Sequence, residues 1–258
     1  MPRFVTCAVA VCVLGAPAPA GAAQPVPTRI VVRAVSHDAK AIGTAVGGAR
    51  ITIRDAATGA VLAEGVQQGG TGDTRRIVVE PRVRGARVYD TPGTAAFEAT
   101  IPLERPTRVE VTAEGPLGYP DALQRASKTL WLVPGRHVTG DGIVLELHGF
   151  TVEILEPGDA AAAAPGARVP VRARVNLLCG CPTEPGGLWD ANRIQIVARL
   201  LRDGRVHAET PLAYAGEPST YDGALVPEAE GTFELEVLAV DRERPNTGVA
   251  RRTLVVGR

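Results

Sequence analysis

Lysine is almost missing from this sequence. Lys40 and Lys128 are the only two, although lysine and arginine together number 28. Basic charge is therefore carried by arginine, and with the heavy alanine and glycine content this fits a GC-rich bacterial genome. Methionine is missing after Met1, which removes the thioether ligands common in copper handling. Net charge is missing as well, because 28 acidic residues balance the basic ones. A nucleic-acid binder would carry a basic field, so that class is disfavoured. No apolar run beyond the N-terminus approaches the ~20 residues a membrane-spanning helix needs. The chain also has no Gly-x-Ser-x-Gly, His-Glu-x-x-His or phosphate-loop motif. The four histidines, His37, His137, His148 and His207, show no ligand spacing. The stretch TGDGIV (139–144) lacks the further carboxylates of a calcium loop and reads as a turn.

What is present begins with "MPRFVTCAVAVCVLGAPAPAGAA". A basic Arg3, a short apolar run and a small-residue tract make a secretory signal peptide over residues 1–23. Cys7 and Cys12 leave with it. The expected location is periplasmic or secreted, in a bacterium. Apolar residues at 45% can fill a core, and charged residues at 22% argue against disorder.

The apolar period is mostly two, which predicts an all-β chain. In ARITIRDA (49–56), Ile51 and Ile53 share one face while Arg50, Thr52 and Arg54 share the other. Thr58-Gly59 predicts a hairpin turn after it. AAFEATIPL and TRVEVTAEG predict a second alternating pair joined by the turn 104–107. DALQRAS (121–127) is the best helix candidate. Asp203-Gly204 is a strong hairpin signal. In TFELEVLAVD, Phe233, Leu235, Val237 and Ala239 alternate onto one face. The Pro-, Gly- and Ala-rich stretch 156–170 has no period and predicts a loop. Short strands spaced by turn residues predict two consecutive β-sandwich domains, 24–150 and 151–258.

Two resemblances follow from these residues. GGARITIRDAATGAVLAEG followed by AAFEATIPLERPTRVEVTAEGPLGY resembles transthyretin-like modules, which include carboxypeptidase regulatory-like domains. Here an arginine-rich insertion, 71–95, interrupts the pattern. GTFELEVLAVDRERPNTGVARRTLVV resembles the last hairpin of bacterial immunoglobulin-like or fibronectin-like modules. Both resemblances imply binding, spacing or accessory roles, and neither carries catalytic residues onto this chain.

Two stretches are candidate sites. In NLLCGCPTEPGGLWD (176–190), Gly180 lets both sulfurs turn to one side. Cys179 and Cys181 could form a disulfide in an oxidising compartment, bind copper or zinc as thiolates, or act in redox chemistry. A zinc shell wants four ligands, and His207, Glu184 and Asp190 are the candidates to complete it. No lysine, histidine or helix start stands beside the pair to activate a thiol, so the structural disulfide leads. Trp189 follows as a core or loop anchor ahead of a ligand platform, and it stands with the arginines of the second stretch as a partner-binding candidate. The second stretch is the insertion TGDTRRIVVEPRVRGARVYD (71–90). Its Arg75, Arg76, Arg82, Arg84 and Arg87 could hold an acidic partner surface, against the plainer expectation of a solvated hairpin with RRIVVE as a strand. The expected function is an exported, non-enzymatic accessory or binding module without a cofactor, supporting another exported protein. A metal-handling protein using Cys179 and Cys181 is the alternative.

Overall fold

The computed structural model describes residues 24–159 and 161–257. The signal peptide expected over 1–23 lies outside the described residues. The chain is all-β with β-sandwich domains. Its first seven strands are β1 (Val26–Ser36), β2 (Arg50–Asp55), β3 (Val61–Val66), β4 (Phe97–Leu103), β5 (Thr107–Gly115), β6 (Gln124–Leu132) and β7 (Val138–Leu147). They form two facing sheets, ordered β3-β2-β5-β6 and β4-β1-β7. Ile51, Ile53, Val109 and Val111 meet Ile30, Val32, Leu145 and Leu147 in one core. The alternation that places Ile51 and Ile53 inward leaves Arg50 and Arg54 in solvent, as a half-buried strand requires.

The remaining strands are β8 (Phe150–Glu156), β9 (Ala161–Ala163), β10 (Val169–Leu177), β11 (Ile194–Arg202), β12 (Arg205–Pro211), β13 (Ala213–Tyr214), β14 (Thr220–Leu225), β15 (Gly231–Asp241) and β16 (Thr247–Val256). They pair only with one another, in sheets ordered β13-β14-β10-β8 and β12-β11-β15-β16-β9. The predicted β11–β12 hairpin forms with Asp203 and Gly204 both left-handed, the geometry a two-residue hairpin favours. Phe233, Leu235, Val237 and Ala239 are all buried.

Four local expectations are corrected. The segments 97–103 and 107–115 are both strands, but they do not pair. Strand β4 joins β1 while β5 joins β2 and β6, so the 104–107 turn carries the chain between sheets. DALQRAS supplies only the turn Pro120–Ala122. From Gln124 onward the ladder with β5 overrides a weak helical preference. The alanine tract is not wholly a loop, since Ala161–Ala163 adds a parallel edge to β16. RRIVVE is not a strand, because Arg75–Val79 winds into a single π-helical turn closed by the Glu80 N–H on the Arg75 carbonyl. That turn lets Ile77 drop onto the outer face of β1. Strand β1 is thereby covered on both faces, by the sandwich core and, outside it, by Ala41, Ile77, Tyr89 and Ala95 clustered on Val35.

The two sandwiches exchange side chains where they meet. Ala39, from the first, belongs to the second core. Leu178, from the second, is 0% exposed inside the first. Asp38 forms an ion pair with Arg244 at 3.1 Å, and its carbonyl accepts a hydrogen bond from Trp189 Nε1 at 3.0 Å. Only His148 and Gly149 separate β7 from β8, and the Gly149 N–H is held by Asn246 Oδ1.

Candidate functional site

The Cys-Gly-Cys loop lies at this junction. Strand β10 ends at Leu177, whose carbonyl accepts the Gly180 N–H and whose N–H donates to the Cys181 carbonyl. Gly180 takes φ +76°, and a Cβ there would stand 3.0 Å from Val46 of the first sandwich. The sulfurs of Cys179 and Cys181 are bonded at 2.18 Å. Both cysteines are buried in the second core, while Leu178 between β10 and the pair points into the first. The loop therefore works as a two-sided wedge, with the cystine on one side and Leu178 on the other.

A bonded pair offers no thiolate, and thiolates are what a soft metal needs. The shell expected around it is not assembled either. His207 lies on β12, edge-on to Phe233 with ring centres 5.4 Å apart. Asp190 accepts hydrogen bonds from the Gly186 and Asn192 backbone N–H groups, which hold its carboxyl below the usual value. Glu184 bridges backbone to backbone with Asp190. The loop after Cys181 is thus held by its own turn chemistry. Trp189 anchors it across the junction and packs against the second core.

The inserted segment is a strap fastened at two points. Ile77 and Tyr89 are buried against the outer face of β1. Tyr89 is pushed above its ordinary pKa by that burial. The second fastening is Asp141. TGDGIV is not a free turn but a bulge inside β7, where the register against β1 shifts between Ile30 and Val32. Gly142 has φ +70°, and a Cβ there would meet the Val31 carbonyl at 2.2 Å, so the bulge demands glycine. The bulge aims the Asp141 carboxylate at the strap. It accepts the N–H groups of Val88, Tyr89 and Asp90 at 2.7, 2.8 and 2.8 Å. Buried Arg33 donates to the Gly140 and Asp141 carbonyls behind it.

Between the fastenings, residues 79–87 are exposed, with Val83 at 71%. Arg75 is paired with Glu80 and Arg87 with Asp90, each at 3.0 Å. Arg82 donates to the Tyr89 hydroxyl and lies over its ring. Arg76 and Arg84 have no side-chain partner among the described residues. The five arginines expected to act together are therefore divided, with three partly engaged within the strap and two presented outward.

Sequence reasoning missed Asp141, although its flanking glycines are a bulge signal. It also missed a meeting of two histidines. His37 follows β1 and His148 follows β7. These strands are parallel, with Ser36 opposite Leu147, so the residues just past their ends lie side by side. Their ring centres are 4.3 Å apart.

No family model matches the chain, and no curated protein matches it. Among solved structures it is similar to an engineered protein at 22% identity and TM-score 0.32, over 49% of this chain and 24% of the other. It is similar to fibronectin(III)-like modules of Clostridium thermocellum CbhA at 12% identity and TM-score 0.27, over 88% and 90%. It is similar to titin domains z1z2, solved in complex with telethonin, at 14% identity and TM-score 0.25, over 91% and 96%. The chain thus spans about a quarter of the first of these and most of the other two. At such scores the likeness carries no argument about what this chain does.

Proposed function

We propose that this chain is an exported, non-enzymatic binding module that supports a partner protein through the strap. In this reading the first domain, 24–150, is a transthyretin-like module interrupted by the strap. The second, 151–258, is an immunoglobulin-like module that braces it. The observation that carries the reading is the strap's construction. Its ends are fixed by Ile77, Tyr89 and Asp141, while its middle is given over to solvent. A loop ordered in advance loses less entropy on binding than a free one, and loops on rigid scaffolds are where binding residues collect. Arg76 and Arg84 suit carboxylates, and exposed Val83 offers an apolar contact next to Arg84. The partner surface is therefore acidic with an adjoining apolar contact.

Support also comes from the groups with shifted pKa values. Asp55 and Asp190 are lowered by backbone N–H donors in turns, Tyr89 and Tyr221 are raised by burial, and Arg251 is raised by Glu236. Each of these shifts, among the described residues, has a cause in turn geometry, burial or an ion pair. The test is affinity capture from the exported fraction of the producing cell. The bait is the wild-type protein or the variant Arg76→Glu, Val83→Ser, Arg84→Glu. The three positions are exposed, so the variant should fold. A protein retained by the wild type and lost from the variant supports the reading. Equal capture by both, or capture by neither, overturns it.

A further inference from the structure

His37, Glu146 and His148 form the one group of three metal-ligating side chains among the described residues whose donor atoms all lie within 4.8 Å of one another. The strands explain why. Glu146 is opposite Val35 in the β1–β7 ladder, and side chains two apart share a face. Val35 and His37 therefore look outward from β1, and Glu146 and His148 look outward from β7. Parallel pairing brings the pairs together at one corner, under the edge of the strap.

The pairing of His37 with Glu146 is unusual. Nδ1 of His37 is shielded from solvent and lies 3.0 Å from Glu146 Oε1, yet the two do not meet hydrogen-bond geometry. Neighbouring ligands on one metal stand ~3.4 Å apart for bonds of ~2.1 Å in a tetrahedral shell and ~3.0 Å apart in an octahedral one, so the two donor atoms need little movement to share an ion. His148 is exposed and free to swing its ring toward the same point. The cleft alongside has a volume of ≈ 260 Å³ and is lined by Asp38, Glu80 and Glu146 with Arg82 as the only guanidinium. Asp38 is paired with Arg244 and Glu80 with Arg75, so among the described residues Glu146 is the carboxylate of this cleft that no arginine neutralises and that can meet a positive guest. Arg82 itself is turned to Tyr89.

We propose that His37, Glu146 and His148 bind a divalent first-row transition metal ion of the zinc type, with the remaining positions open to water. Two imidazoles and one carboxylate suit Zn(II), Ni(II) or Cu(II) rather than Ca(II) or Mg(II), which prefer all-oxygen shells. The site is independent of the strap's partner and of the bonded cysteines. It lies beside Asp38 and Gly149, so the metal would tie the ends of β1 and β7 together at the point where the chain passes into the second sandwich.

Isothermal titration of the purified, tag-free protein with zinc(II) tests this, with free thiols alkylated beforehand. The variants are His37→Ala, His148→Ala and, as a control remote from the site, His207→Ala. One zinc per chain is expected. Its affinity should fall roughly ten-fold or more in each of the first two variants and hold in the third. His148 is exposed, so its variant remains folded even if the half-buried His37 variant does not. Absence of zinc binding, binding unchanged by His148→Ala, or calcium binding as tightly as zinc would each overturn the proposal. In those cases His37 and Glu146 are only close neighbours.

Discussion

Replacing Asp141 with asparagine should release the strap while leaving both sandwiches folded. The side chain keeps its size. It loses its charge and one of two acceptor oxygens, and its amide must then face an N–H. The carboxylate now holds three backbone donors at 2.7–2.8 Å. A hydrogen bond to a charged group contributes ~1.5–3 kcal/mol when buried. Asp141 is only half-buried, so the low end applies. The asparagine oxygen can keep the Tyr89 and Asp90 bonds that Oδ1 now accepts, each weakened by the loss of charge, while the Val88 bond to Oδ2 is lost and its N–H faces the amide. The expected loss is about 2–4 kcal/mol of strap docking. This should appear locally, because among the described residues of 71–90 Ile77 and Tyr89 are the buried ones, and a segment with few buried groups opens on its own. Amide exchange by NMR is the assay. The Val88, Tyr89 and Asp90 amides should exchange from about thirty-fold to several-hundred-fold faster, since each 1.4 kcal/mol is roughly ten-fold. Amides in β5 and β15 should be unchanged. Unaltered protection at 88–90 would refute the argument, and so would equal loss of protection throughout the chain.

Leu178→Ala should destabilise the first sandwich although the residue follows β10 of the second. The side chain is wholly buried in the first core, so the cost is about 2–5 kcal/mol. The transition reported by Trp131 in β6 should move to lower denaturant, and a shift confined to Trp189 would count against this. Asp55 and Asp190 make stability pH-dependent in one direction. Their folded pKa values lie below the ordinary 3.8. Their contribution is therefore complete at neutral pH and is lost as pH falls below that value. Asp55→Asn with Asp190→Asn should flatten the fall in urea midpoint between neutral pH and about pH 3. Both residues are only half-buried, so the effect should be small, and an unchanged slope would show that other carboxylates dominate.

The fold class was legible because its signal is local. Ile51 and Ile53, or Phe233 through Ala239, announce a half-buried strand without knowledge of any partner. Partners are not written so locally. The period of β4 and β5 identifies two strands, and their short turn suggests a hairpin. Yet β4 pairs with β1, some seventy residues earlier in the chain, and only packing of the two sheets decides that. The site residues divide in the same way. The wedge at Cys179–Cys181 is marked by its own glycine. His37 and His148 lie 111 residues apart in sequence and become neighbours only through a parallel pairing that no turn announces. Asp141 is intermediate, since its flanking glycines mark a bulge but not what the carboxylate will meet.

The wedge also shows why a small constraint can matter more than its energy suggests. In the chain-entropy account, a disulfide closing so short a loop adds only about 1.5 kcal/mol, against ~3 kcal/mol for a loop of fifteen residues. Its contribution to global stability is therefore slight. The larger quantity is the burial of Leu178, and that depends on direction. With the cystine held in the second core and Gly180 against Val46, the backbone between Leu177 and Cys181 turns so that Leu178 enters the first core. Ala39 makes the reciprocal crossing two residues after His37, beside the Asp38–Arg244 pair. Each sandwich thus completes its core with a side chain from the other. The strap rests on β1, the strand that leads directly to Asp38 and Ala39. The stiffness of the proposed binding loop therefore depends on a junction that Cys179, Gly180 and Cys181 shape together with Trp189, the Asp38–Arg244 pair and the Gly149–Asn246 hydrogen bond.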